Sequence, residues 1–146
     1  MTKNLIKETN NYLANIGVMY VKLHNLHWNV KGVQFKAVHE YLETIYDYFA
    51  ATLDKVAEFI KMEDGYPHAK LVDYLEVASI SELESKDYAV SEALEILLGD
   101  IVILNDQALY LHNFADKIDN FTLTNILEDN ISEYRKIIWF IRSMIK

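Results

Sequence analysis

The sequence predicts an all-α domain, built as two long helical hairpins joined by one long crossover that carries a short helix. Three observations predict it. Apolar residues recur at spacings of three, four and seven through four runs of about 25 residues each. One Pro and four Gly leave few breaks in 146 residues. The connections between the runs are unequal, two short and one long.

The first run places Leu5, Tyr12, Ile16, Met19, Leu23, Leu26 and Val30 on one face and stops at Lys31-Gly32. The second follows Gly32 with Val38, Leu42, Ile45, Phe49, Val56 and Ile60, and ends in the turn-forming Glu63-Asp64-Gly65-Tyr66-Pro67. A third helix is expected from about Lys86 through Phe114, with Ala93, Leu97, Ile101, Leu104, Ala108 and Leu111 inward. A fourth is expected from about Thr122 onward, through Leu127, Ile131, Tyr134, Ile138 and Ile141. No segment of comparable length alternates with period two, so no sheet is expected. Short links around Gly32 and Asp119-Asn120 make antiparallel neighbours, whereas Glu63 to Ser85 is long enough to cross the bundle. Within it, Ala69 to Leu75 can form the short helix. One long crossover between two hairpins is the connection of ferritin-like bundles, and residues 1–146 form a single domain.

Composition removes several functions. No Cys is present, which excludes a disulfide scaffold, a zinc ribbon and a thiol nucleophile. Lys and Arg number 14 against 22 Asp and Glu, for a net charge of −8, which disfavours a phosphate backbone as partner. The apolar stretches are too short for a membrane span, and the N-terminal residues lack a signal-peptide core. A cytoplasmic protein with no membrane partner is expected.

The second helix carries the chemistry. Its apolar face lies roughly 130° from a stripe of His39, Glu43, Asp47, Asp54 and Glu58. Ala50 and Ala57 sit between the two, small enough to admit another helix closely. His39 and Glu43 are i,i+4 neighbours, as are Asp54 and Glu58, so each pair can share a metal ion. Glu43 and Asp54 are about 16 Å apart along the axis, far beyond metal–ligand bonds of about 2.0–2.6 Å. Two copies of the helix, antiparallel about a two-fold axis, would bring His39 and Glu43 of one against Asp54 and Glu58 of the other. The Glu-x-x-His pairs of a di-iron site inside one bundle are missing. His27, just before the tight link, can lie level with His39 and Glu43. The set His27, His39, Glu43, Asp54 and Glu58 offers mixed N/O ligation, suited to Fe(II), Mn(II) or Zn(II), with its oxygen balance favouring the harder ions.

The segment Leu23-His24-Asn25-Leu26-His27-Trp28-Asn29-Val30-Lys31-Gly32, followed by Phe35 and Val38-His39-Glu40, resembles the signature of the Dps proteins, or miniferritins. The His27-to-His39 interval, Asp54-x-x-x-Glu58 and Lys136-Ile137-Ile138-Trp139 also match, so the resemblance runs over nearly the whole chain. It implies a ferritin-like subunit, a hollow dodecamer, and ferroxidase sites at two-fold interfaces. The implied iron ligands are His27, His39, Glu43, Asp54 and Glu58, with Trp28 close by. The implied activity is oxidation of Fe(II), typically by hydrogen peroxide, and storage of the ferric product, which protects against oxidative damage.

Two positions and one segment depart from the family pattern. Glu43 is Asp in some relatives, which keeps the charge but changes the reach. Asn125 stands where many relatives carry an acid near the three-fold pore, leaving Glu128 and Asp129 as candidates for an iron access route. The first eight residues hold only Lys3 and Lys7 beside Glu8, not the basic tail with which some relatives bind DNA, so DNA binding is not expected.

Other residues read more plainly. His68 and His112 are expected to be ordinary surface or core residues, and His24 has a lesser claim to a metal-related or hydrogen-bonding role. The ten Tyr are expected in packing and interfaces, and Trp139 in the core or an interface. The alternative to an oxidising enzyme is a Zn(II)- or Mn(II)-binding or metal-cemented oligomer without turnover, using the same ligands. A DNA-compacting protein is a third reading.

Overall fold

The computed structural model describes residues 2–145. Four long helices form the bundle: α1 (Thr2–Asn29), α2 (Phe35–Met62), α4 (Val90–Lys117) and α5 (Phe121–Met144). The short helix α3 (Leu71–Val77) lies in the crossover. Helices α1 and α2 pack as one hairpin and α4 and α5 as the other, and α1 seats against both α3 and α4. The all-α reading and the two-hairpin topology hold, with helix ends within a few residues of those expected.

Turn chemistry sets the boundaries. Gly32 adopts φ 141, a conformation that strains any residue with a Cβ, and its carbonyl accepts from the Phe35 N–H at 3.1 Å to start α2. Asp64 takes the left-handed conformation at the end of α2 while the Gly65 N–H reaches back to the Ile60 carbonyl at 2.9 Å. The same device ends α4, where Asp119 is left-handed and the Asn120 N–H bonds the Ala115 carbonyl at 3.0 Å. Asn120 then caps α5 by accepting from the Leu123 N–H at 3.1 Å. Its amide also donates to Glu63 at 2.6 Å, tying the two helix-end turns together.

The predicted inner faces of α1, α2 and α4 are buried along their length. Helix α5 is rotated from the expected register. Ile137, rather than Ile138, faces the core with Tyr134 and Ile141, and Ile131 sits at its margin. The difference has a polar cause: Asn130 is buried there, held by the phenols of Tyr12 and Tyr48. Tyr12 and Tyr134 share a hydroxyl–hydroxyl bond of 2.6 Å, and the Asn130 amide donates to Tyr12 at 2.8 Å. The Tyr48 hydroxyl is shared between Asn130 and Asp129, at 2.9 Å from each acceptor. Burial pushes the Tyr12 and Tyr134 phenols well above their ordinary range, so this network stays neutral at physiological pH.

A sheet was not expected, and one two-residue exception occurs. Val30–Lys31 (β1) pairs in parallel with Tyr88–Ala89 (β2), joining the α1–α2 link to the start of α4. Two residues carry no periodicity that a sequence reading can detect. Beneath the crossover, Gly17 allows close approach: a Cβ there would meet the Tyr74 ring at 2.7 Å. Nearby, Lys22 pairs with Asp100 at 2.7 Å and donates to the Ser81 carbonyl at 2.6 Å, almost wholly buried. Among the described residues no helix is long and apolar enough to cross a membrane.

Candidate metal centre

The last turn of α1 and the first turns of α2 meet across the Gly32 link, and the meeting orders two imidazoles. His27 Nδ1 lies 2.7 Å from the His39 carbonyl, and His39 Nδ1 lies 2.7 Å from the His27 carbonyl. A carbonyl only accepts, so each Nδ1 carries the proton and each Nε2 keeps its lone pair. The rings stack at 3.7 Å between centroids and 13° between planes. Reciprocal bonding therefore fixes both tautomers in the form a metal ion needs.

Glu43 lies one turn along α2 from His39, with its carboxylate 3.9 Å from His27 Nε2 and about half exposed. His27 itself is buried. The structure thus brings His27 and His39 into a stack and sets the Glu43 carboxylate near His27.

Asp54 and Glu58 do not join it. Both are exposed on the same helix, about three turns further on. Among the described residues, no group of three or more His, Asp or Glu side chains of one chain is placed to hold a metal ion. The donor set fits a divalent cation in chemistry, since neutral imidazoles and ionised carboxylates together suit a hard or borderline metal. In one chain the five predicted donors fall into two separated groups.

The structure adds aromatic neighbours that the sequence reading left without roles. Phe35 stacks on His39 at 4.9 Å, and Tyr46 meets the His27 ring edge-on at 5.2 Å. Tyr46 also stacks on His24 at 3.9 Å, while His24 Nδ1 bonds the Tyr20 carbonyl at 2.7 Å. His24 thus braces Tyr46 instead of reaching toward Glu43. Desolvation, then the carboxylates of Glu43 and Asp47, push the Tyr46 phenol up. The signal was present in the spacing, because Phe35 and Tyr46 lie four residues before and seven after His39 and share its face. Trp28 is 67% exposed and packs beside His24.

The remaining candidates sort clearly. His112 pairs with Glu128 at 2.7 Å, and Asp129 accepts from Tyr48. The His68 backbone N–H donates to Asn10. Trp139 is 65% exposed, so it is not a core residue of the chain.

Two hairpins joined by one crossover, with a histidine–carboxylate cluster on the second helix, define a ferritin-like subunit. Comparison with known proteins agrees: residues 6–146 match the ferritin-like domain family. The chain is 31% identical to DNA protection during starvation protein 2 of Bacillus anthracis, over 99% of both chains. It is 30% identical to general stress protein 20U of Bacillus subtilis, again over 99% of both. Among solved structures, a Dps protein from Bacillus brevis superposes with a TM-score of 0.95 at 30% identity, covering 99% of this chain and 97% of that one. Antigen TpF1 from Treponema pallidum gives 0.97 at 27% identity, covering 99% and 93%. The chain belongs to the Dps family of the ferritin-like superfamily. Its function accordingly falls, in general terms, within iron storage and protection against oxidative stress.

Proposed function

We propose that the protein is a ferroxidase that oxidises Fe(II), with hydrogen peroxide or dioxygen as oxidant, and sequesters the ferric product in a hollow homododecamer. Iron is the substrate, bound where two subunits meet about a two-fold axis. His27, His39 and Glu43 of one subunit face Asp54 and Glu58 of the other. The observation that carries this reading is the reciprocal bonding of His27 and His39, which leaves both Nε2 lone pairs free, with Glu43 near His27, while the other two carboxylates stand too far along α2 to reach them.

In this arrangement the imidazoles hold geometry and the carboxylates absorb the charge gained as Fe(II) becomes Fe(III). With peroxide, two Fe(II) each give one electron, the O–O bond breaks, and two hydroxides form. The His27–His39 bonds hold the Nε2 atoms in place through the change of oxidation state. The acidic balance of the chain favours cations over polyanions, so the proposal assigns it no DNA binding. A cytoplasmic location follows from the same reading.

Complementation tests the shared site. Subunits carrying His27→Ala and His39→Ala, and subunits carrying Asp54→Ala and Glu58→Ala, should each be inactive alone. Co-refolded together, they form mixed dimers with one intact site, and stopped-flow Fe(II) oxidation should return. Continued inactivity of properly assembled mixtures would overturn the shared site. Metal uptake by the unaltered protein without oxidant consumption would favour the alternative, a Zn(II)- or Mn(II)-holding oligomer without turnover.

A further inference from the structure

Three of the ten tyrosines, Tyr12, Tyr134 and Tyr48, meet in one hydrogen-bonded network inside the bundle. They differ in what faces the phenolic proton. Tyr12 and Tyr134 are fully buried and meet only each other and the Asn130 amide, all neutral groups. Tyr48 is half-buried, and its hydroxyl donates to the Asp129 carboxylate as well as to the Asn130 side-chain carbonyl, each at 2.9 Å. Asp129 is exposed, so a proton it takes can pass on to water.

This difference decides which phenol can give up an electron. Burial, together with the neighbouring Asp129 charge, pushes the Tyr48 phenol above its ordinary range, so it stays protonated. A protonated phenol loses an electron readily only if its proton leaves in the same event, and that needs a base already in place. Of the three, Tyr48 has one. Moving the proton to Asp129 strands nothing: the new carboxyl O–H faces the phenol oxygen, and the Asn130 carbonyl keeps the Thr52 hydroxyl at 3.3 Å. Position fits as well. Tyr48 lies five residues past Glu43 on α2, about 7.5 Å along the axis, within the range over which electrons pass between groups that do not touch.

We infer that Tyr48, with Asp129 as its proton acceptor, is a one-electron donor that quenches radicals formed beside the metal centre. The inference rests on the proposed function, which supplies the oxidant. A lone Fe(II) that meets hydrogen peroxide gives it one electron; the O–O bond breaks, leaving Fe(III), hydroxide and a hydroxyl radical. The radical takes an electron from Tyr48 and becomes hydroxide, while the phenol O–H bond breaks and its proton passes to Asp129. Tyr48 is left as a neutral radical and Asp129 as a neutral carboxyl group. A later Fe(II) returns the electron, becoming Fe(III), and Asp129 returns the proton.

Pulse radiolysis of the full chain in azide solution tests this, since azide radicals take one electron from aromatic side chains and no iron is needed. Optical absorption then follows the tyrosyl radical that outlives the others. This slowest-decaying radical should form in the unaltered chain, and Tyr48→Phe should abolish it. Asp129→Asn keeps an oxygen for the phenol to bond but takes up no proton, and should lower the yield about tenfold. Tyr134→Phe, which removes a phenol from the same network, should leave yield and lifetime unchanged. Fe(II) mixed in after the pulse should shorten the lifetime. A lasting radical that persists in Tyr48→Phe, or that requires Tyr134 instead, overturns the inference. So does full yield in Asp129→Asn, or a lifetime that Fe(II) does not alter. Initial Fe(II) oxidation by peroxide in Tyr48→Phe should match that of the unaltered chain. No oxidation by the unaltered chain would overturn the ferroxidase reading and leave the radiolysis result standing.

Discussion

The bundle interior and the outer face of α2 both hold polar clusters, but they are built on opposite principles. Inside, Tyr12, Tyr134 and Asn130 satisfy one another, and the chain of bonds ends on Tyr48 and Asp129. Outside, His27 and His39 use one nitrogen each to brace the backbone and leave the other nitrogen without a partner. The interior network is closed, as a buried polar group requires. The outer cluster is half-closed, which is what a binding site requires. On the proposed function, the open valence and not polarity alone marks the site.

The sharpest way to break this contrast is to remove the open cluster. Replacing His27, His39 and Glu58 together with Ala should reduce Fe(II) oxidation in stopped flow to the rate of buffer alone. Loss of the buried His27 ring and the two backbone bonds lowers thermal stability as well, so oxidation is compared at full folding. Unchanged oxidation would remove the site assignment.

The converse variant attacks the closed cluster. Asn130→Ala removes one hydrogen bond from each of the Tyr12 and Tyr48 hydroxyls, which keep Tyr134 and Asp129, and opens a small void; it should cost about 2–3 kcal/mol by denaturant titration. Oxidation per folded subunit should be unaltered. A loss of activity at full folding would show that the two regions are coupled.

A smaller effect separates packing from both. Gly17→Ala pushes a methyl into the Tyr74 ring and should destabilise by about 1–3 kcal/mol, by displacing α3. It should leave the His27–His39 pair untouched.

The smallest effect is a pH dependence. Burial raises the Asp100 carboxyl above its ordinary value of 3.8, and Lys22 offsets this only in part. A raised folded-state value means the native state binds more protons in the window above 3.8, so this residue's contribution to stability falls as pH rises through it. Asp100→Asn should flatten that decline in denaturant midpoints measured across the acidic range. A steeper decline in the variant would contradict the sign.

Much of this was legible in the sequence because helices bury apolar residues with a fixed period. The faces of α1, α2 and α4 followed directly from Leu, Ile and Val spacing, and the His39–Glu43 pair from i,i+4 geometry. Helix α5 was less legible, since its core position at Asn130 is polar and its partners come from α1 and α2. Apolar periodicity therefore pointed to Ile131 and Ile138 at the margin. The tautomers of His27 and His39 were not legible at all, because each depends on a backbone carbonyl twelve residues away. Trp139 sat ambiguously between core and interface, and only its exposure removes the first option.

The short parallel bridge between Val30–Lys31 and Tyr88–Ala89 has a consequence in time. Its partners lie roughly sixty residues apart, so it cannot form until the crossover has brought α4 alongside the first hairpin. Each hairpin can assemble from neighbouring contacts; the bridge records that both are correctly joined. It begins at the residue after α1, three positions beyond His27. A newly made subunit thus clasps the end that bears its histidines only once the chain has been made through Ala89 and the crossover has closed, and amide protection at Val30 and Lys31 would time that event.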